Sequence, residues 1–260
     1  MLWKHETILR EEEAMEDSDV RADLPEAVLV EDAPPAGAAS PAYSSEQIAE
    51  ILEEDIVFGY LHPRERLVED DLCARFQATR HAVRRALVEL EKMGLIDRPK
   101  NVGAFVRAYT DVEVRDLYVV REILETNAAR HIRFPVDEAQ LAGLTAIQKT
   151  HDACAESGNL RGAFRANIAF HQQLFSLTCN PALCAVIDDF ARRAHPIRFL
   201  AMAEPHFLRK ARSDHWAMIR AVQNQDVEGL VALCRDHIIP SRDAYLEQYR
   251  QRQRLLKHRE

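Results

Sequence analysis

The chain has 260 residues, of which 47% are hydrophobic and 29% charged, a composition typical of a globular protein of one or two domains. No apolar run approaches the roughly 20 residues that a membrane-spanning helix needs, and the N-terminal stretch turns acidic at once, unlike a signal peptide, so we expect a cytoplasmic protein. Five cysteines without a CxxC pair argue against a disulfide framework or a zinc ribbon, and the eight glycines form no phosphate-binding loop.

The formal net charge of −8 comes entirely from the first 40 residues, which hold 11 acidic and three basic side chains. We expect residues 1–42 to be a disordered acidic tail. The segment 75–100 has the opposite sign, with seven basic and three acidic side chains. Such a basic cluster attracts a phosphate backbone, although a solvated helix face can carry the same charge.

Residues 43–109 are predicted to fold as three short helices followed by a hairpin. Apolar residues recur at helical spacing after two candidate N-caps, Ser44 and Thr79. In chain order, the predicted elements are a helix between Ser44 and Gly59, an extended piece over 61–67, helices over about 69–76 and 80–93, and β-like runs over 95–98 and 103–107. This order predicts a winged helix-turn-helix domain that binds DNA.

The third of these helices carries the residues that we expect to contact DNA. A recognition helix enters the major groove with its N-terminal residues toward the base edges, where arginine reads guanine. Helix N-terminal amides and a threonine hydroxyl suit phosphate oxygens. Lys100 and Asn101, at the hairpin tip, would reach a neighbouring groove or phosphate. The candidate contacts on the helix are Thr79, Arg80, His81, Arg84 and Arg85.

Residues 110–251 are predicted to be entirely helical, and residues 252–260 a short C-terminal tail. About 140 residues of amphipathic helix can close around their own core, so the fold class is mainly α: a winged helix-turn-helix followed by an all-α antiparallel bundle. The six predicted helices cover about 112–133, 137–156, 160–178, 181–200, 205–223 and 226–251.

Motifs in both halves resemble one known family. Residues 44–106 resemble the DNA-binding domain of GntR-family transcription regulators, and the helical half resembles the FCD effector domain of the FadR subfamily, in its six-helix, VanR-like variant. Arg64 stands where the family usually has glycine, and Asp70 where it often has an arginine that touches DNA. The motifs that carry the resemblance include Gly59-x-Leu61-x-Pro63, Thr79-Arg80-x-x-Val83-Arg84, Gly94-Leu95-Ile96, Leu117-Tyr118, Leu124-Glu125, Phe170-His171 and Asn180-Pro181.

The FCD resemblance implies a metal and effector site in the helical domain. Many members bind a divalent metal through an Asp-x-x-x-His pair and two further histidines. Here Asn167 and His171 form the pair, and His215 and His237 follow on the last two helices. Three imidazoles suit Zn²⁺ or Ni²⁺, whereas the amide of Asn167 is a weaker ligand than a carboxylate. An effector carboxylate would complete the site, paired with Arg121.

We therefore expect a cytoplasmic, homodimeric transcription regulator that binds a palindromic operator on double-stranded DNA and is a repressor released by a small organic or sugar acid. Two alternatives are a metal-dependent helical-bundle enzyme using the three histidines, and a winged module used for protein contacts. The enzyme lacks a recognisable general base, and the protein-contact module leaves the arginine-rich helix unexplained. We interpret two further histidines, His195 and His206, as structural.

Overall fold

The computed structural model describes the backbone of residues 43–202 and 205–257. The predicted acidic tail, residues 1–42, lies outside the described residues. None of the described helices is long and apolar enough to cross a membrane.

The first elements form a winged unit, which we define as residues 44–106. The side chain of Ser44 caps the first helix in a capping box, and Thr79 caps the third by accepting from the amide of Ala82. A small antiparallel sheet has the strand order β1-β3-β2, so the predicted extended piece supplies a third strand. The elements are α1 (Ser45–Val57), β1 (Arg66–Leu67), α2 (Glu69–Phe76), α3 (Arg80–Lys92), β2 (Ile96–Asp97) and β3 (Ala104–Val106).

The remaining helices form a bundle around its own apolar core. Leu144, Phe170, Leu174 and Met218 are fully buried in this core. Side-chain caps start several helices where the sequence predicts them, because Asp137, Asn159 and Asn180 each accept a backbone N–H. The helices are α4 (Asp111–Arg130), α5 (Glu138–Glu156), α6 (Leu160–Ser176), α7 (Pro181–Arg193), α8 (His195–Met202), α9 (Pro205–Gln223) and α10 (Val227–Lys257).

Two helix bounds differ from the prediction. The single helix expected over 181–200 is two helices, α7 and α8, because the chain turns at Ala194. The reason is Pro196, which has no N–H to donate to the carbonyl oxygen of Arg192, so the helical hydrogen-bond pattern is interrupted there. The last helix continues to Lys257, so the tail predicted from residue 252 is helical for its first six residues.

The winged unit docks on the bundle through α1. The Glu54 carboxylate is 4% exposed and pairs with Arg165 of α6 at 2.6 Å. Arg161, one turn earlier on α6, lies 3.4 Å from Glu54 and 3.6 Å from Asp55. On the neighbouring α8, His195 Nδ1 lies 2.7 Å from Glu53 Oε1. The acidic face of α1 is therefore held by basic side chains of two bundle helices.

Arg64 adopts the left-handed backbone conformation, with φ of 71°. Its amide nevertheless donates to the carbonyl oxygen of Val106 at 2.8 Å, which fixes this turn against the wing. A side chain with a Cβ is strained in this region, whereas glycine is not. The family's preference for glycine at this position therefore has a local physical cause.

We predict that Arg64→Gly raises the free energy of unfolding by up to about 1 kcal/mol relative to Arg64→Ala, since only glycine relieves the strain and part of the gain is lost to its greater unfolded entropy. Urea denaturation of both variants measures the difference. Equal midpoints for glycine and alanine would contradict the assignment of strain.

Candidate functional site

The arginines of α3 lie on the outer surface of the winged unit. Val83, Ala86, Leu87 and Leu90 fill the opposite face of the helix and are buried in the core. The exposed side chains include every predicted contact: Thr79, Arg80, His81, Arg84, Arg85, Lys100 and Asn101. The last two lie at the tip of the wing, between β2 and β3.

Three of these arginines are paired with nearby carboxylates, which the sequence did not reveal. Arg80 lies 2.8 Å from Asp70, and Arg84 lies 2.9 Å from Glu69 of α2. Arg85 lies 3.2 Å from Glu46 of α1. Exposed ion pairs contribute only about 0–1 kcal/mol, so phosphates or bases can replace these carboxylates at little cost. Asp70, which stands where the family often has an arginine, is thus paired with Arg80.

Three histidines converge inside the bundle from helices far apart in the sequence. His171 lies on α6, His215 on α9 and His237 on α10. One ring nitrogen from each lies within 4.8 Å of the other two. The Nε2 atoms of His171 and His237 are 3.2 Å apart. This spacing allows the three rings to hold one metal ion.

Neighbouring side chains orient two of these rings. His215 Nδ1 lies 2.7 Å from Gln148 Oε1, and since that oxygen can only accept, the ring proton is on Nδ1. Gln148 is fixed in turn, because its amide donates to Asp152 at 2.7 Å. His237 Nδ1 lies 3.1 Å from the carboxylate of Asp214. Both rings therefore keep an Nε2 lone pair for a ligand, an arrangement that metal-binding histidines share.

The chemistry of the donor set fits a metal. Nε2 of His215 is buried and has no hydrogen-bond partner among the described residues. Burial, reinforced by the neighbouring His237, holds the pKa of His171 and of His215 well below the ordinary value. Both rings are therefore neutral near pH 7, the form in which imidazole binds metals.

Asn167 and Arg121, the other predicted site residues, have different surroundings. Asn167 lies one turn before His171 and lines a cavity together with His237 and Asp214. Arg121 is 1% exposed, and its guanidinium pairs with Glu125 at 2.8 Å. Its positive charge is thus already balanced within the protein.

Two cavities flank the histidine cluster, with volumes of about 80 and 190 Å³. His237 and Asn167 line the first, and His171 lines the second. Arg198 of α8 lines both, whereas Arg121 lines neither. Arg198, Gln148 and Asp214 were not predicted from the sequence as site residues. Asp214 directly precedes His215 in the sequence, but no local pattern could have identified the other two.

His151 packs against the cluster, with its ring centre 5.2 Å from that of His215. Burial lowers its pKa from 6.5 to about 4. Between these values the unfolded chain takes up a proton that the folded protein does not, so acidification favours unfolding.

We predict that, in the presence of a metal chelator, acidification from pH 7.5 to 5 lowers the free energy of unfolding of the wild type by about 2 kcal/mol more than that of His151→Asn. Urea denaturation at both pH values measures the difference, with His62→Asn, at an exposed histidine, as the matched control. The same pH dependence in wild type and His151→Asn would disprove the assigned pKa.

Both halves of the chain match known families. Residues 44–106 match the gntR family of bacterial regulatory proteins, and residues 116–239 match the FCD domain. The HTH-type transcriptional repressor RspR of Escherichia coli K12 is 24% identical over 197 residues, which is 75% of this chain and 85% of RspR.

Two solved structures share the fold. A protein from Rhodococcus sp. RHA1, assigned to the GntR regulators, has a TM-score of 0.66 at 22% identity and covers 79% of this chain and 98% of its own. E. coli McbR/YncC has a TM-score of 0.68 at 20% identity, with the same coverage of both chains. The matching families are DNA-binding regulators rather than enzymes. The chain therefore belongs to the GntR family and is a transcription regulator with an FCD domain.

Proposed function

We propose that this protein is a ligand-responsive repressor that binds a palindromic operator as a homodimer and releases it when a small carboxylate metabolite binds in the helical domain. The observation that carries this proposal is the outward-facing, arginine-rich surface of α3, in a chain whose bundle also contains a polar interior site. Cytoplasmic localisation is part of the same proposal.

The exposed residues divide into two kinds of DNA contact. Arg80, Arg84 and Arg85 project from the first turns of α3, where a recognition helix meets base edges. The hydroxyl of Thr79 accepts from the amide of Ala82 and retains a proton for a phosphate oxygen. His81, Lys100 and Asn101 extend this surface toward flanking phosphates. Phosphate contacts supply the salt-sensitive affinity, and the arginines supply the sequence preference.

An exposed apolar face on α4 supports the homodimer. Val112, Val119 and Ile123 are 59%, 56% and 60% exposed, and their spacing places them along one side of the helix. Contiguous exposed apolar surface marks an interaction site. Pairing α4 with its copy would bury this face and present two recognition helices to two half-sites.

The interior site would take the metal and the effector together. His171, His215 and His237 would hold Zn²⁺ or Ni²⁺, with the oxygen of Asn167 as an additional, neutral ligand. The bound metal would supply open coordination positions for an effector carboxylate. Arg121 would contribute positive charge near the site while remaining paired with Glu125. An effector shifts the DNA-binding equilibrium only if it binds the two conformations with different affinities.

We predict that Arg84→Ala weakens binding to an operator duplex, isolated by selection from random DNA, by roughly 1–3 kcal/mol. The reason is the loss of a base-reading guanidinium, and gel-shift titration measures the effect. Arg220→Ala, at an exposed arginine of α9, is the matched control and should bind like wild type. An unchanged midpoint for Arg84→Ala would remove Arg84 from the interface, and failure of the wild type to select any duplex would disprove the proposed function.

We predict that Zn²⁺ or Ni²⁺ at about 100 times its Kd raises the Tm of chelator-treated wild type by roughly 5–10 °C, since only the folded state presents the three rings together. His215→Ala and the milder His237→Gln should lose most of this rise, whereas His62→Ala should retain it. Differential scanning fluorimetry measures the Tm, and circular dichroism verifies folding. A full shift in both cluster variants would place the metal elsewhere.

A further inference from the structure

Arg198 of α8 lines two cavities of the bundle and has no carboxylate partner in the part of the chain that the structure describes. Among the described residues, no ion pair within 4 Å involves its guanidinium, whereas Arg121 nearby is paired with Glu125. Burial, together with the Arg121 cation, lowers the pKa of Arg198 to about 10. A partly buried charge that lacks a partner is costly, which indicates that something outside this chain neutralises it.

The position of Arg198 indicates where a neutralising anion would bind. Arg198 is the residue that lines both cavities, with His171 beside it in one and His237 in the other. None of the three histidines of the cluster can carry a negative charge, and the side-chain amide of Asn167 carries no charge either. Three carboxylates also line the second cavity, but each has a partner of its own: Glu53 bonds to His195, Glu125 to Arg121 and Asp188 to Gln172. An anion in contact with Arg198 would therefore lie against the cluster.

The second cavity has a wall from the DNA-binding half of the protein. Glu53 of α1 and His171 of α6 both line it, as does His195, which forms a 2.7 Å hydrogen bond with Glu53. His195 and Arg198 are three residues apart on α8, so both lie on one face of this short helix. A ligand held by Arg198 would thus lie within one helical turn of the contact that joins α8 to α1.

We propose that Arg198 receives the carboxylate of the effector, in the cavity that α1 closes, so that the DNA-binding domain itself forms part of the effector site. This inference rests on the proposed function and assigns its ligand contact to Arg198 instead of the internally paired Arg121. Because Glu53 belongs to α1, the ligand and the DNA act on the same helix. Thermodynamic linkage then requires that each alters the affinity for the other.

The test uses the full-length protein and three simple probes, sodium acetate, succinate and citrate, each compared with sodium chloride of equal ionic strength. Thermal unfolding is recorded with chelator and, separately, with Zn²⁺. We expect at least one acid to raise the Tm of the wild type, and Arg198→Gln to weaken its apparent affinity roughly 10- to 100-fold, the range for a hydrogen bond to a charged group. Arg220→Gln, at an exposed arginine of α9 that lines neither cavity, is the matched control and should respond like wild type.

Arg198→Gln should also be at least as stable as wild type without any acid, because it removes a charge that has no partner. A large loss of stability would overturn the inference, as would an unaltered acid response in Arg198→Gln or the absence of any response in the wild type.

A gel shift with the selected duplex separates the two proposals. If the acid weakens DNA binding by the wild type but not by Arg198→Gln, the coupling through this site is supported. If the wild type binds DNA but no acid stabilises it, the inference about Arg198 fails while DNA binding stands. If an acid binds through Arg198 but no duplex is selected, the site stands and the proposed function fails.

Discussion

Helix α1 has to bury two chemically different faces at once, and the placement of the DNA-binding surface depends on this constraint. Its apolar face, with Ile48 and Leu52 fully buried, packs against α3 and the wing. Its acidic face is equally inaccessible, because Asp55 is 2% exposed. A buried carboxylate is tolerated only with a partner, so the arginines of α2 and α6, together with the His195 ring of α8, fix how α1 sits on the bundle. The direction of α3 follows, since α1 and α3 share one core.

The histidine cluster differs from α1, whose buried carboxylates are charged and paired. The rings of His171 and His215 stay neutral because burial lowers their pKa, and the oxygens of Gln148 and Asp214 face Nδ1 of His215 and His237. One ring nitrogen of each histidine is therefore already close to the other two before any metal arrives. Phe170 stacks on His215 at 4.0 Å between ring centres, which fixes the plane of this ring.

The short helix α8 connects these two regions. His195 belongs to the docking contacts with α1, and Arg198, on the same face, belongs to the cavities beside the cluster. A displacement of α8 by one ligand would therefore alter the contact that orients the winged unit. In a repressor with this arrangement, communication between ligand and DNA would need only one short helix rather than a path through the entire bundle.

The sequence by itself determined the winged unit and the start of most helices, because N-caps such as Thr79 and Asn180 and the apolar periodicity act within a few residues. It also placed Asn167 and His171 on one helix face, and the family resemblance added His215 and His237. Only the tertiary structure decided that Glu125 neutralises Arg121, that Arg198 has no such partner among the described residues, and that His195 bonds to a residue 142 positions away. The physical reason is that ion pairing and burial depend on which helices pack against each other across the core. No local sequence pattern encodes those tertiary contacts.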